Sequence, residues 1–162
     1  MTPIETTLNS FLLQYLSMLT GDLQEEQLDL VPVEGLHTAR WILAHIASTG
    51  DYGLRLLGQK PKCPRTWHVA YGPGSSGLTH PEIKPTKDEL LEKIREVYQE
   101  LAKGFESTSL DGLDKPHGLG LLEKTPIQTK GQLISHLMTT HFSMHIGQLS
   151  AMRRQMGFPK LF

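Results

Sequence analysis

The sequence predicts an all-α protein with the architecture of a four-helix bundle, and three observations carry this prediction. Four long segments repeat apolar residues at the spacing of three to four that places them on one side of a helix. No stretch of useful length alternates apolar and polar residues as a half-buried strand would. Two long connections, residues 58–85 and 105–128, separate the second helix from the third and the third from the fourth. Connections of this length permit crossovers in place of simple hairpins.

Composition points to one soluble domain. A chain of 162 residues can bury an apolar core without disulfides, so we expect a single domain over residues 1–162. The 16 basic and 17 acidic residues leave a net charge of −1, which provides no basic face for nucleic acid or an anionic membrane. Cys63 is the single cysteine and fits a reducing compartment. With neither a signal-peptide pattern nor a long apolar run, the chain is expected to be cytoplasmic, without a membrane partner.

The first helix is predicted over residues 3–19. Proline is tolerated in a first turn, and Thr2 is placed to cap the helix. Gly21 follows and loosens the chain. One side of this helix is apolar, through Leu8, Leu12, Tyr15 and Leu19.

The second helix is predicted over residues 38–57, with a histidine in the middle of its apolar stripe. Taken alone, His45 is more simply a hydrogen-bonded core histidine than a metal ligand. Asp51 points about 120° away from it and is a poor candidate for sharing a site. The stripe consists of Trp41, Ile42, His45, Thr49, Tyr52 and Leu56.

The connection over residues 58–85 is rich in glycine and proline. Loops this long are frequently lids or binding loops, so we predict that this one covers a pocket and supplies substrate contacts. Its glycines lack the Lys-Ser/Thr ending of a phosphate-binding loop, which gives no support to a nucleotide site. Cys63, Trp67, His68 and His80 lie in it, each more often a surface or packing residue than a functional one.

The third helix begins with a capping box formed by Thr86 and Glu89. It is predicted to run to about residue 102 and to be ended by Gly104. The charged residues on its outer side are most simply a solvated face.

The fourth helix is predicted as one continuous segment over residues 129–156, with a capping box of Thr129 and Gln132 and a stop at Gly157. His141 and His145 are one helical turn apart, so their side chains point within about 40° of one another. That direction is shared by the apolar residues of the helix. The inward stripe is Ile134, Leu137, Met144, Gln148 and Met152.

Three inward imidazoles from two helices, His45, His141 and His145, are the minimum for a catalytic type of metal site. Neutral imidazole suits zinc or nickel, and three protein ligands leave one coordination position open. A structural zinc site would need a fourth ligand, often sulfur, and the chain has one cysteine. His136 points about 140° away from His141 on an ideal helix and is expected to face outward or a partner.

These motifs resemble the DinB/YfiT-like superfamily of metal-binding four-helix bundles. The resemblance extends over nearly the whole chain and keeps the order of the motifs. The matching motifs are Trp41-Ile-Leu-Ala-His-Ile-Ala47, Tyr71-Gly-Pro-Gly-Ser-Ser76 leading to Pro85-Thr-Lys-Asp-Glu-Leu90, His141-x-x-x-His145-x-Gly-Gln-Leu149, and Arg153-Arg154 before Met156-Gly-Phe-Pro159.

The resemblance implies an up-down-down-up bundle, often dimeric, in which three histidines hold a divalent metal. Those histidines correspond to His45, His141 and His145 here. Characterised relatives include transferases and isomerases that use mycothiol, bacillithiol or glutathione. The expected partners are therefore a small-molecule thiol, an electrophilic substrate and a second copy of the chain.

Three interpretations remain open from the sequence. The first is a metal-dependent thiol S-transferase or isomerase. The second is a non-catalytic module that binds metal or a small molecule, with a role in stress. The third is a helical bundle with buried histidines and no metal. Open space above the histidines favours the first, whereas a site plugged by His68 or His80 favours the second.

Overall fold

A computed structural model describes residues 3–31, 34–76 and 80–161. Within these ranges the protein is all-helical, which confirms the predicted class, and the one β-type contact is an isolated antiparallel bridge between Pro116 and Thr129. None of the described helices is both long enough and apolar enough to cross a membrane. The described helices are α1 (Ile4–Thr20), α2 (Ala39–Leu56), α3 (Arg65–Tyr71), α4 (Lys87–Ser107), α5 (Leu110–Leu113), α6 (Lys130–Met138) and α7 (Thr140–Gln155), with 3-10 turns at Glu25–Asp29 and Gly120–Leu122.

Helix α1 lies where it was predicted, to within one residue at each end. Its apolar stripe is rotated from the predicted one, because Leu8 is 45% exposed while Leu16 is buried. The proposed cap, Thr2, lies outside the described residues. The buried side, which faces α6 and α7, consists of Asn9, Leu12, Leu16, Leu19 and Thr20.

Helix α2 is the centre of the core. Every residue in it except Tyr52 and Arg55 is buried, and it contacts α3, α4, α6 and α7. Its start is the predicted one, since the Thr38 side chain accepts a hydrogen bond from the Trp41 backbone N–H. Glycine at position 50 lets α4 pack closely, because a Cβ there would lie 2.6 Å from the ring of Tyr98. The helix that carries His45 is therefore held on several sides.

Helix α4 has the predicted capping box but continues past its predicted end. Gly104 lies inside the helix, which runs on to Ser107. The glycine serves packing, because a Cβ at that position would lie 2.3 Å from Nε2 of Gln59. The helix ends at Thr108, whose N–H donates to the Gly104 carbonyl.

The predicted fourth helix is two helices, α6 and α7, and the prediction of one continuous segment was wrong. The break is at Thr139, whose backbone has φ −123° and ψ −83°. Beside it, the Asn9 amide of α1 donates to the Met138 carbonyl at 2.8 Å. A side chain that bonds to a helix carbonyl from outside is a recognised cause of a kink. Met144, predicted to face inward, is 57% exposed.

The two long connections are not wholly irregular. Residues 58–85 contain α3, which buries Trp67, Ala70 and Tyr71 and contacts α2. Residues 105–128 contain α5 and a 3-10 turn. The rest of the core is closed by α1, which contacts α4, α6 and α7.

Candidate metal centre

The three predicted histidines converge in the structure. One ring nitrogen from each of His45, His141 and His145 lies within 4.8 Å of the others. His45 comes from α2 and the other two come from α7. His45 and His145 are buried, and His141 is partly buried. Because the break at Thr139 precedes both His141 and His145, the one-turn spacing between them is preserved.

The ring of His45 is fixed by two contacts. Its Nδ1 lies 2.7 Å from the carbonyl oxygen of Tyr71, at the end of α3. Since a carbonyl only accepts, Nδ1 carries the proton and Nε2 keeps its lone pair. The indole of Trp41 stacks on the ring at 4.4 Å with an interplanar angle of 10°. This arrangement aims an unprotonated Nε2 at the other two rings.

His145 is arranged in the same way. Its Nδ1 lies 2.8 Å from Oε1 of Gln148, one turn along α7, so Nδ1–H donates and Nε2 is free to accept. Hydrogen bonds of this kind fix the tautomer and orientation of metal-binding histidines in general. His141 differs, because its buried Nδ1 has no hydrogen-bond partner among the described residues.

Burial keeps the three rings neutral. Desolvation lowers the pKa of His45 to about 4, with a smaller contribution from the charge of His145, against the raising effect of the Tyr71 carbonyl. Desolvation likewise lowers the pKa of His141 to about 3, reinforced by His145 and His45. The pKa of His145 is also lowered, chiefly by burial and against the hydrogen bond to Gln148. Neutral imidazole is the form that coordinates a metal, so no proton need be displaced near neutral pH.

The spacing of the donor atoms suits a small divalent ion. Nε2 of His45 and Nε2 of His141 are 3.3 Å apart. Tetrahedral coordination with metal–nitrogen bonds of about 2.0–2.1 Å places two ligand nitrogens about 3.3–3.4 Å apart. The donor set, the tautomers and this distance all fit a divalent ion held by three imidazoles.

A cavity of about 410 Å³ adjoins the rings. His136 lines it, with its ring centroid 5.7 Å from that of His141, so the expectation that His136 faces outward was wrong. The prediction assumed a continuous helix, whereas the break at Thr139 lies between the two residues. The remaining lining residues come from α2, α3, α6, α7 and two loops, and are Trp41, His45, Ser48, Thr49, Tyr52, His68, Gly72, Pro73, Gly74, Leu119, Leu121, Leu122, Leu133, Leu137 and His141.

The glycine-rich connection lies against this cavity. His68 and the run from Gly72 to Gly74 line it, and the Trp41 indole N–H donates to Oγ of Ser75 at 3.1 Å. Residues 77–79, near the tip of the segment, lie outside the described residues. The predicted role of the segment in contacting substrate stays a prediction.

Asp51 was set aside from the histidine cluster, and the structure places it in a separate interaction. Its carboxylate lies 2.7 Å from Nε2 of His68 and accepts the backbone N–H groups of Lys62, at 2.5 Å, and Cys63, at 3.2 Å. Burial alone would raise the pKa of Asp51, but these hydrogen bonds outweigh it and hold the pKa below its usual value. Asp51 therefore fixes His68 at the cavity wall. This pair could not be predicted from the sequence, because α3 was not predicted.

The other loop candidates do not reach the cluster. His80 pairs with Glu82 at 3.2 Å and is not part of the cavity wall. Cys63 is buried, and burial raises the pKa of its thiol far above the usual value, so it stays protonated and unreactive. His68 is bonded to Asp51 and does not plug the cluster.

Comparison with known families agrees with the geometry. The family model of the DinB superfamily matches residues 10–149. The chain belongs to the DinB superfamily. Members of this superfamily bind metal, and the matched range contains all three histidines. A search of curated proteins gave no match.

Sequence reasoning missed one aromatic element of this DinB-like site. His37 stacks on the other face of Trp41 at 3.5 Å and 8°, which extends the stack that ends on His45. The three residues recur every fourth position, and that spacing was a usable signal. It was overlooked because His37 precedes the N-cap Thr38 and so lies before the predicted start of the second helix.

Proposed function

We propose that the protein binds one divalent ion, zinc or nickel, through His45, His141 and His145 and acts as a metal-dependent transferase or isomerase. Its co-substrate would be a low-molecular-weight thiol of the mycothiol, bacillithiol or glutathione type. One observation carries the metal site. Hydrogen bonds at Nδ1 of His45 and His145 leave both Nε2 atoms unprotonated, and Nε2 of His45 lies 3.3 Å from Nε2 of His141.

The residues around the ion have separable tasks in this reaction. A bound divalent cation supplies positive charge that favours thiolate over thiol. Three neutral imidazoles leave that charge uncompensated, and three protein ligands leave one position for substrate. Trp41, Leu133 and Leu137 exclude water from one side of the site. In the overall transfer, R–SH and R′–X give R–S–R′ and H–X: a C–S bond forms, the C–X bond breaks, and X leaves with the electron pair and the thiol proton.

We propose in addition that the long helices form an up-down-down-up four-helix bundle and that the protein is a cytoplasmic homodimer. The two long connections support the bundle order. An exposed apolar stripe on α1 supports self-association, and light scattering of the wild type beside Phe11→Glu tests it. The stripe consists of Ile4, Leu8, Phe11 and Met18.

The test of the metal site uses protein made without a histidine tag. We expect one zinc or nickel per chain by elemental analysis, and thiol consumption when thiols are paired with a panel of electrophiles. His45→Ala should abolish metal binding and turnover while the helical content stays unchanged, because His45 supplies the ligand from the second helix. His80→Ala is the matched control, since His80 lies outside the cluster. Metal-free wild type in the presence of excess zinc would contradict the proposal.

A second candidate is a non-catalytic module that binds metal or a small molecule, with a role in stress. It is favoured by the absence of a cationic side chain from the described cavity wall, since glutathione and bacillithiol carry carboxylates. One zinc per chain without thiol-dependent turnover across the panel would select this candidate.

A further inference from the structure

We propose that the cavity beside the histidine cluster binds a neutral, largely apolar molecule that carries one hydrogen-bonding group. In the reaction proposed above, this molecule is the electrophilic acceptor, and the charged part of the thiol stays outside the cavity. The role of this molecule as acceptor rests on the proposed function, whereas the binding of a neutral ligand follows from the cavity alone.

The described cavity wall carries no Lys, Arg, Asp or Glu, although the chain contains 33 such residues in 16 basic and 17 acidic positions. The wall consists mostly of leucines from the loop after α5 and from α6, together with Trp41. In metal-free protein, a carboxylate placed against such a wall loses its hydration and finds no Lys or Arg as a counter-ion, which is strongly unfavourable. Transfer of an apolar ring or chain from water into the cavity lowers the free energy. The apolar wall residues are Trp41, Leu119, Leu121, Leu122, Leu133 and Leu137.

The two buried charges on α2, the helix that carries His45, are already paired. Asp51 is bound by His68 and by the backbone N–H groups of Lys62 and Cys63. Arg40, on the same helix as His45, is bound by Glu25, Asp29 and the carbonyl of Pro85. Neither group is available to turn toward a charged ligand.

One polar atom of the wall is left without a partner. Ser48 is 2% exposed, lines the cavity, and its Oγ has no hydrogen-bond partner among the described residues. Its neighbour Thr49 instead bonds back to the His45 carbonyl at 2.9 Å. A buried hydroxyl without a partner is unfavourable, so a ligand carbonyl or hydroxyl that pairs with it gains affinity. Ser48 thus specifies one hydrogen-bonding group on an otherwise apolar molecule.

The transfer balances for such an acceptor. Its electrophilic carbon gains the sulfur of the thiolate as the bond to the leaving group breaks. The leaving group departs with the electron pair and takes up the proton lost by the thiol. No oxidant or reductant is required.

The test compares two ligands that differ in charge at one end. Displacement of the neutral dye Nile red is followed in metal-free protein at pH 8, with 2-acetylnaphthalene and 2-naphthoate as competitors. Chelator is present so that the carboxylate cannot bind to a metal ion. We expect 2-acetylnaphthalene to displace the dye at a concentration at least tenfold lower. Equal potency, or stronger binding of the naphthoate, would overturn the proposal.

Two variants locate the ligand. Leu121 is 71% exposed and lines the cavity, so Leu121→Lys adds a cation there without disturbing the core and should reduce the preference about fivefold or more. Leu110→Lys is the matched control, because Leu110 is 78% exposed and lies outside the cavity wall. Ser48→Ala should weaken 2-acetylnaphthalene about fivefold to tenfold. An unchanged preference in Leu121→Lys would contradict binding in this cavity.

The outcomes separate this inference from the proposed function. A preference for the neutral ligand without thiol consumption would support the binding inference and reject the transferase. Thiol transfer to charged and neutral acceptors at equal rates would support the transferase and reject the neutral cavity.

Discussion

Two buried polar clusters lie a little over one turn apart on α2, and they satisfy their hydrogen bonds very differently. Arg40 is 3% exposed, and its guanidinium donates to Asp29 at 2.7 and 3.0 Å, to Glu25 at 2.8 Å and to the Pro85 carbonyl. In the second cluster, Nε2 of His45 and Nε2 of His141 face each other at 3.3 Å, and Nδ1 of His141 has no partner among the described residues.

The comparison distinguishes the Arg40 cluster, which stabilises the fold, from the histidine cluster, whose unpaired nitrogen suits a ligand. Arg40 joins the 3-10 turn after α1 to the start of α4, and its charge is compensated on every side. Arg153 repeats this pattern, with bonds to the Leu19 carbonyl and Asp22 and the ring of Phe158 at 4.6 Å. Buried polar atoms are normally paired, so the incomplete pairing of the histidine cluster is its distinguishing feature.

The largest effect on stability is expected from breaking the Arg40 cluster, called the saturated cluster here because every donor of Arg40 that is described has a hydrogen-bond partner. Arg40→Met should lower the free energy of unfolding by about 3 kcal/mol, because it removes a buried cation and its hydrogen bonds to two carboxylates and a carbonyl. The affinity of the remaining folded protein for zinc should be unchanged, since Arg40 does not line the cavity. Urea denaturation measures the first quantity and zinc titration the second.

Arg55→Met is the control for the Arg40 variant, because Arg55 is exposed on the same helix. It should change the free energy of unfolding by less than about 0.5 kcal/mol. A comparable loss in both variants would show that the Arg40 network has no special role.

The next largest effect is a difference in pH dependence between the two clusters. The folded pKa values of His45 and His141 are about 4 and about 3, below the 6.5 of an unfolded chain. As the pH falls below 6.5, these histidines bind protons in the unfolded chain but stay neutral in the folded protein, so the free energy of unfolding falls. Between pH 6.5 and 5.5 the loss should be about 1 kcal/mol for each of these rings in metal-free protein.

The carboxylates bound to Arg40 add no pH dependence between pH 6.5 and 5.5. The pKa of Asp29 is lowered from 3.8, chiefly by its hydrogen bond from Arg40, so its stabilising effect is complete above the unfolded value and is lost only in stronger acid. Urea denaturation with chelator at pH 6.5 and 5.5 measures the difference. A pH-independent free energy of unfolding over this range would contradict burial of neutral histidines.

The histidine cluster was predictable because its signals are local. His141 and His145 are one turn apart, and the stripe that contains His45 is set by α2 alone. The break at Thr139 was not predictable, because it depends on the Asn9 amide, which is remote in sequence from Met138. The break also explains why His136, which lies before it, lines the cavity together with His141, which lies after it.

The ends of the helices were likewise predictable where local residues set them, and not predictable where a contact remote in sequence sets them. The caps at Thr86 and Thr129 were predicted correctly, because a cap involves residues within one turn. Gly104 was misread as a stop, because its role is set by contact with Gln59 from another segment. The saturated network of Arg40 was likewise not evident, since its partners come from three separate parts of the chain.

The smallest effect on stability is expected for replacement of His141 in metal-free protein. A histidine that held the fold together would instead cause a large loss of stability when replaced. In metal-free protein at pH 8, His141→Leu should change the free energy of unfolding by less than about 1 kcal/mol. The variant loses ring contacts with His45 and His145 but also removes a buried nitrogen that has no partner. An apolar replacement of a poorly satisfied buried polar group is often nearly neutral.

Zinc should then separate this variant from the wild type. At a free zinc concentration a hundred times its dissociation constant, the wild type gains about 2.7 kcal/mol of stability by mass action, and His141→Leu should gain none of it. His80→Leu is the control and should respond to zinc as the wild type does, because His80 lies outside the cluster. If His141→Leu instead lost about 3 kcal/mol with chelator present, and zinc stabilised neither protein, His141 would belong with Arg40 as a residue that fastens the fold.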